Sequence, residues 1–119
     1  MMPKHIIEND GYVSYSLNGS VKRVVPSTVN GRWHGEYFTN RCHHNRRRSY
    51  KHTFFLNGGY HGEYKIYNSD KELIEHQYYN DGELIYDFIE QPALYPKTEK
   101  EKLAITLRYG APFITNNYL

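Results

Sequence analysis

Four groupings of side chains in this sequence have the residue types from which chemistry is made. Cys42-His43-His44, with His52 close behind, brings a thiol and imidazoles together. Zinc takes such ligands, but a structural site wants four of them at spacings such as C-x2-C or H-x3-H. Adjacent histidines do not close easily on one ion. The same thiol beside a histidine is the raw material of a nucleophile, which also needs a base held by an orienting group. The neighbouring residues supply none. We therefore assign no metal ligand and no catalytic residue here, and expect no cofactor and no enzyme.

The second grouping is doubled. His34 precedes Glu36 as His61 precedes Glu63, at the same position of a phrase that occurs twice. A residue duplicated in register belongs to a scaffold more naturally than to a single active centre, so both pairs are read as structural. The third is a predicted cross-strand pair, His76 opposite Asp87, which would raise the histidine's proton affinity. The fourth is basic: Arg46-Arg47-Arg48 lies among Arg41, Tyr50 and Lys51, with no acid between residues 41 and 51. Guanidinium groups grip phosphate or carboxylate through two parallel hydrogen bonds, and a tyrosine can stack a base. Arg41, Arg46, Arg47, Arg48, Tyr50 and Lys51 are the candidate binding residues.

These groups need a frame, and the doubled phrase supplies it. Asn30-Gly31-Arg32-Trp33-His34-Gly35-Glu36-Tyr37 returns as Asn57-Gly58-Gly59-Tyr60-His61-Gly62-Glu63-Tyr64, identical at six of eight positions. Self-similarity at a fixed spacing marks a repeat architecture. Between Gly35 and Phe54 lie about three residues more than between Gly62 and Tyr78, and the excess falls on the His43–Arg48 run. The strand segments are short and tyrosine-rich, and Asn-Gly or Asp-Gly pairs mark tight hairpins. One hairpin spans 11–25 around Asn18-Gly19, predicted as a type I′ turn, and Pro26 ends its second strand. Residues 40–49 are predicted to form a long loop. Leu73 to Tyr79 and Glu83 to Ile89 flank Asp81-Gly82.

From Gln91-Pro92 onward the period changes. Thr98 reads as an N-cap with Glu101 as its capping-box partner, Leu103, Ala104, Leu107 and Arg108 follow at helical spacing, and Gly110 is placed to end the helix. The spacing predicts a helix over about 98–109 covering an open part of the sheet, with residues 110–114 packing back as an extended segment. One domain results: a β-meander over 11–91, with units near 30–56 and 57–89, and a capping tail over 92–119.

Composition agrees with a folded chain. Of 119 residues 13 are tyrosine, and aromatics make up 16% despite a mean hydropathy of −0.82. Disordered segments lack aromatics; here the core is expected to be amphipathic tyrosine, suited to a thin sheet. A net charge of +2 does not by itself demand a nucleic-acid partner. A single cysteine, no apolar leader and no long apolar run predict a cytoplasmic protein in a reducing compartment.

Aromatic-His-Gly-Glu-Tyr, followed by strand, turn, strand and Tyr79-Asn80-Asp81-Gly82, resembles MORN-type repeats, in particular the looser MORN-variant repeats of bacterial and viral proteins, some labelled antitoxins. Gly31, Trp33, Gly35, Glu36 and Tyr37 carry the likeness in one copy, and Gly58, Tyr60, Gly62, Glu63 and Tyr64 in the other. The resemblance covers about 30–90 and implies a mainly β fold, hairpins laid side by side in one twisted sheet. Its members are mostly scaffolds and adaptors for proteins, and some touch membrane lipids. The leading expectation is thus a non-catalytic module that binds a protein partner through a tyrosine-rich face and the arginine-rich stretch. What the resemblance implies further is a viral or bacterial accessory protein, antitoxin-like or inhibiting a host factor. The alternative is nucleic-acid or nucleotide binding at the basic stretch. The segment 12–17, if left at a sheet edge, offers a route to a homodimer.

Overall fold

The computed structural model describes residues 7–9, 11–44 and 47–119. Ten strands pair antiparallel in one open sheet: β1 (Ile7–Asn9), β2 (Tyr12–Tyr15), β3 (Val21–Val25), β4 (Ser27–Val29), β5 (Arg32–His44), β6 (Arg47–Leu56), β7 (Gly59–Tyr60), β8 (Gly62–Tyr67), β9 (Leu73–Asn80) and β10 (Glu83–Asp87). A helix, α1 (Glu99–Tyr109), follows. The principal path runs β1-β4-β5-β6-β8-β9-β10, with β2 paired to β3, β3 to β5 and β7 to β6. The mainly β meander with one C-terminal helix is therefore the observed architecture. No helix among the described residues is long and apolar enough to cross a membrane.

The turns explain why the chain folds back where it does. Asn30-Gly31, Asn57-Gly58 and Asp81-Gly82 all place two consecutive residues at positive φ (52°/76°, 53°/83° and 49°/85°). That is the type I′ geometry, whose twist matches the flanking strands. Asn18-Gly19 differs from the prediction: only Gly19 has positive φ, at 88°. Its N–H donates to Ser16 O at 2.9 Å, a type I turn followed by a glycine bulge. The Asn18 side chain favours this form by accepting from Ser20 N and Ser20 Oγ (3.1 and 2.7 Å).

The described residues of the stretch 40–49 are also not the predicted loop. β5 and β6 stay paired through Cys42↔Ser49, His43↔Arg48 and His44↔Arg47, after a register shift between Thr39 and Cys42. The extra residues of the first unit lengthen a hairpin instead. Its residues show no apolar alternation, which is why the sequence did not announce it.

A second bulge, between Leu84 and Tyr86, moves β10 by one residue against β9. Leu84 still opposes Tyr79, but Tyr86 opposes Tyr78 and Asp87 opposes Gln77, so the predicted His76–Asp87 pair does not form. The shift brings Tyr86 and Phe88 to the side of Tyr78. There Tyr78, Phe88, Ala111 and Phe113 form a buried cluster, flanked by Tyr95, Ile105 and Tyr109.

Thr98 caps α1 as expected, its Oγ1 accepting from Glu101 N at 3.1 Å, and Gly110 ends it at φ 70°. The covering role differs from the prediction. Leu103 and Leu107 are 57% and 76% exposed, and the helix meets the core through Ile105 and Tyr109. The extended residues 110–119 cover the sheet.

Candidate functional site

The two sides of the sheet have different fates, set by strand alternation. On one side lie Glu36 and Glu63, the doubled carboxylates, and the C-terminal segment crosses both. Glu63, fully buried, accepts from His76 Nε2 at 2.6 Å, from Tyr95 OH at 3.1 Å and from Ile114 N at 2.8 Å. Lys65 Nζ adds charge at 3.7 Å. Glu36 accepts from His52 Nε2 at 2.8 Å, Tyr118 OH at 2.8 Å and Asn116 Nδ2 at 3.0 Å. Burial opposes ionisation of both carboxyls, but the hydrogen bonds from the histidines and the tail outweigh it. Both sit below the ordinary glutamate value.

The backbone joins in. Glu63 N donates to Pro112 O at 2.8 Å and Tyr78 OH to Ala111 O at 2.6 Å. Phe113 stacks on Tyr78 with centroids 5.0 Å apart, and Tyr118 lies 5.2 Å from Phe38 and 5.1 Å from His52. His61 accepts from Asp81 N at Nδ1 (3.1 Å) and so donates from Nε2 to Gly110 O (2.9 Å). It ties a turn to the end of the helix.

On the other side an aromatic stripe crosses the sheet. Trp33, Tyr37 and Phe55 form one triad with centroids 5.1–5.6 Å apart, and Tyr60, Tyr64 and Tyr79 form a second at 5.0–5.6 Å. Phe55 and Tyr60, 5.3 Å apart, join them. All six rings are half-buried. Each such contact contributes roughly 0.5–1.5 kcal/mol beyond area burial. Burial, then neighbouring Tyr60, Glu75, Tyr79 and Cys42, pushes the Tyr64 phenol well above its ordinary value, so it stays neutral. Gly35 and Gly62, at φ 123° and 115°, kink the strands between the aromatic positions.

Among the described residues, the candidate binding residues do not form the single patch the sequence suggested, since Tyr50 and Lys51 lie on different sides. Arg41, Arg47 and Arg48 are exposed near the end of the β5–β6 hairpin, and Arg46 lies outside the described residues. Tyr50 and Lys51 face opposite sides of β6. Tyr50 stacks near Phe38 (6.4 Å) on the side the tail crosses. The Lys51 ammonium lies over Tyr60 and Tyr64, 4.6 and 5.3 Å from the centroids, and donates to Tyr60 OH. It is part of the stripe, a cation–π contact that sequence spacing did not announce. Arg41 meets a different neighbour, sharing a shallow cleft with Tyr15, Leu17 and Lys22 at the β2–β3 turn.

Residues 110–114 pack back as an extended segment as the sequence predicts, but their carboxylate partners, and the continuation to residue 119, were not foreseen. The tail's partners Glu63 and Glu36 lie 51 and 80–82 residues away, beyond any local pattern. Comparison with protein-family models, curated proteins and solved structures returns no match to this chain.

Proposed function

We propose that this chain is a non-catalytic interaction module, MORN-like in build, that binds a protein partner on its aromatic stripe. One observation carries the reading: six half-buried rings and Lys51 run unbroken over β5 to β9, on the side opposite the tail. Rigid aromatic rings lose little entropy on binding, and Tyr, Trp and Arg dominate interface energetics. The exposed Arg41, Arg47 and Arg48 near one end favour an acidic partner surface and faster encounter with it. An antitoxin-like or host-factor-inhibiting role is the biological form this takes under the same reading.

The test pairs two variants of the full chain in a pull-down from its native source. Trp33→Leu/Tyr60→Leu should lose the partner, while Arg46→Ala/Arg47→Ala/Arg48→Ala should retain it with slower association. If a nucleic acid is retained instead, and its binding falls steeply with salt and vanishes in the arginine variant, the protein-partner reading fails.

A further inference from the structure

Edge strands present a row of unpaired backbone donors and acceptors, and folded proteins blunt them with charges, proline, bulges or covering segments. The β10 edge follows that rule. It carries Glu83 and Asp87 at its two ends and the bulge between Leu84 and Tyr86. The β2 edge does not. Among the described residues β2 pairs with β3 alone, and Tyr12-Val13-Ser14-Tyr15-Ser16-Leu17 holds no charge and no proline. Tyr12, Val13, Tyr15 and Leu17 are 50%, 44%, 63% and 111% exposed. The irregularity in this ladder, Ser14↔Arg23 followed by Tyr15↔Val21, makes Lys22 the extra residue. The bulge thus sits on β3 and leaves the outer rim of β2 continuous.

The described charges at the β2–β3 turn are cationic. Residues 11–27 include Lys22 and Arg23 and no acid. Arg41 of β5 joins Lys22 and Tyr15 in a cleft at the end of the strand. A second copy would bring the same cations towards their own kind, whereas an acidic segment would neutralise them.

We propose that the outer edge of β2 accepts an added strand from another protein, an extended segment with alternating apolar residues flanked by Asp or Glu. Backbone hydrogen bonds supply the affinity of such strand addition and side-chain alternation its selectivity. Lys22 and Arg41 choose the acidic flank. The inference rests on the reading of this chain as a protein-binding module and gives the partner a chemistry and a place.

The probes are two labelled peptides sharing a Thr-Val-Tyr-Val-Thr centre, one flanked by Asp-Glu pairs and one by Lys pairs, titrated against the full chain. The acid-flanked peptide should bind at least tenfold tighter and slow amide exchange at residues 12–15. Lys22→Glu/Arg41→Glu should reverse the preference. Trp33→Leu/Tyr60→Leu should leave this binding unchanged, which separates the edge from the stripe. Equal binding of both peptides, or protection confined to other strands, overturns the assignment while leaving the stripe reading intact. So does a wild-type dimer in sedimentation that Tyr15→Lys dissociates, because the occupant is then a second copy.

Discussion

Glu63 and Gly62 show how adjacent residues in one phrase do unlike work. A Cβ on Gly62 would lie 2.5 Å from Pro112 O and 2.9 Å from Pro112 Cδ, on a backbone at φ 115°. Gly35, its counterpart at φ 123°, would meet only Pro26 Cβ at 3.6 Å. Gly62→Ala should therefore cost about 3 kcal/mol or more, and Gly35→Ala only the backbone strain of about 1–2 kcal/mol. Urea unfolding midpoints of the two variants check the difference. Glu63 carries a pH signature. Its carboxyl lies below the ordinary value of 4.5, so the stability it confers is fully present above that value and lost as pH falls through the depressed one. Glu63→Gln should be destabilised by about 3 kcal/mol at pH 7, because it disrupts a buried pair. Thermal melts should show that gap closing as the pH drops below 4.5. Little of this was legible in the sequence. The duplication of Glu36 and Glu63 suggested scaffold residues, but their histidine partners, His52 and His76, come from other strands. His76 was matched to Asp87 because a one-residue bulge at β10 leaves no mark in composition.

Among the elements, hairpins were readable and long-range covering was not. Asn30-Gly31, Asn57-Gly58 and Asp81-Gly82 need two left-handed residues, and only a few residue types tolerate that, so the turns are written locally. The β5–β6 extension was hidden because its residues are polar and show no apolar alternation; Arg41, His43, Arg47 and Arg48 are exposed. The packing back of residues 110–114 was foreseen, but the partners of the tail and its course over 115–119 were hidden, because an extended segment with no ladder of its own has no period to detect. Its energetic weight is nonetheless concentrated. Thr115 to Leu119 meets the sheet through Asn116 and Tyr118 on Glu36, and through the Tyr118 ring on Phe38 and His52. Ending the chain at Ile114 should lower stability by about 2–3 kcal/mol, since it strips hydrogen bonds from a half-buried carboxylate and uncovers Phe38. The Glu63 end of the tail should stay protected. Amide exchange at Ile114 in the shortened chain measures this: retained protection is the expected outcome, and loss of it would mean that the tail holds only as a unit.

At the scale of the molecule, a thin sheet of 51 × 40 × 25 Å has no deep core on which to spend its aromatic residues. It uses them on both faces instead. One face is closed by the chain's own tail, with Tyr78 OH held by Ala111 and its phenol pushed up to about 12 by burial and then by Tyr109 and Tyr86. The other keeps two linked aromatic triads and a lysine at half exposure, and it is there that we propose a partner binds. That asymmetry should decide where a partner binds. It is tested most directly by the affinity of the partner recovered from the native source, measured calorimetrically against wild type and Trp33→Leu/Tyr60→Leu. Far-ultraviolet dichroism and melting must first show the variant folded. The expected result is a loss of 100-fold or more, about 3 kcal/mol, as for the removal of two central aromatic anchors. An affinity within twofold of wild type in a folded variant would contradict it.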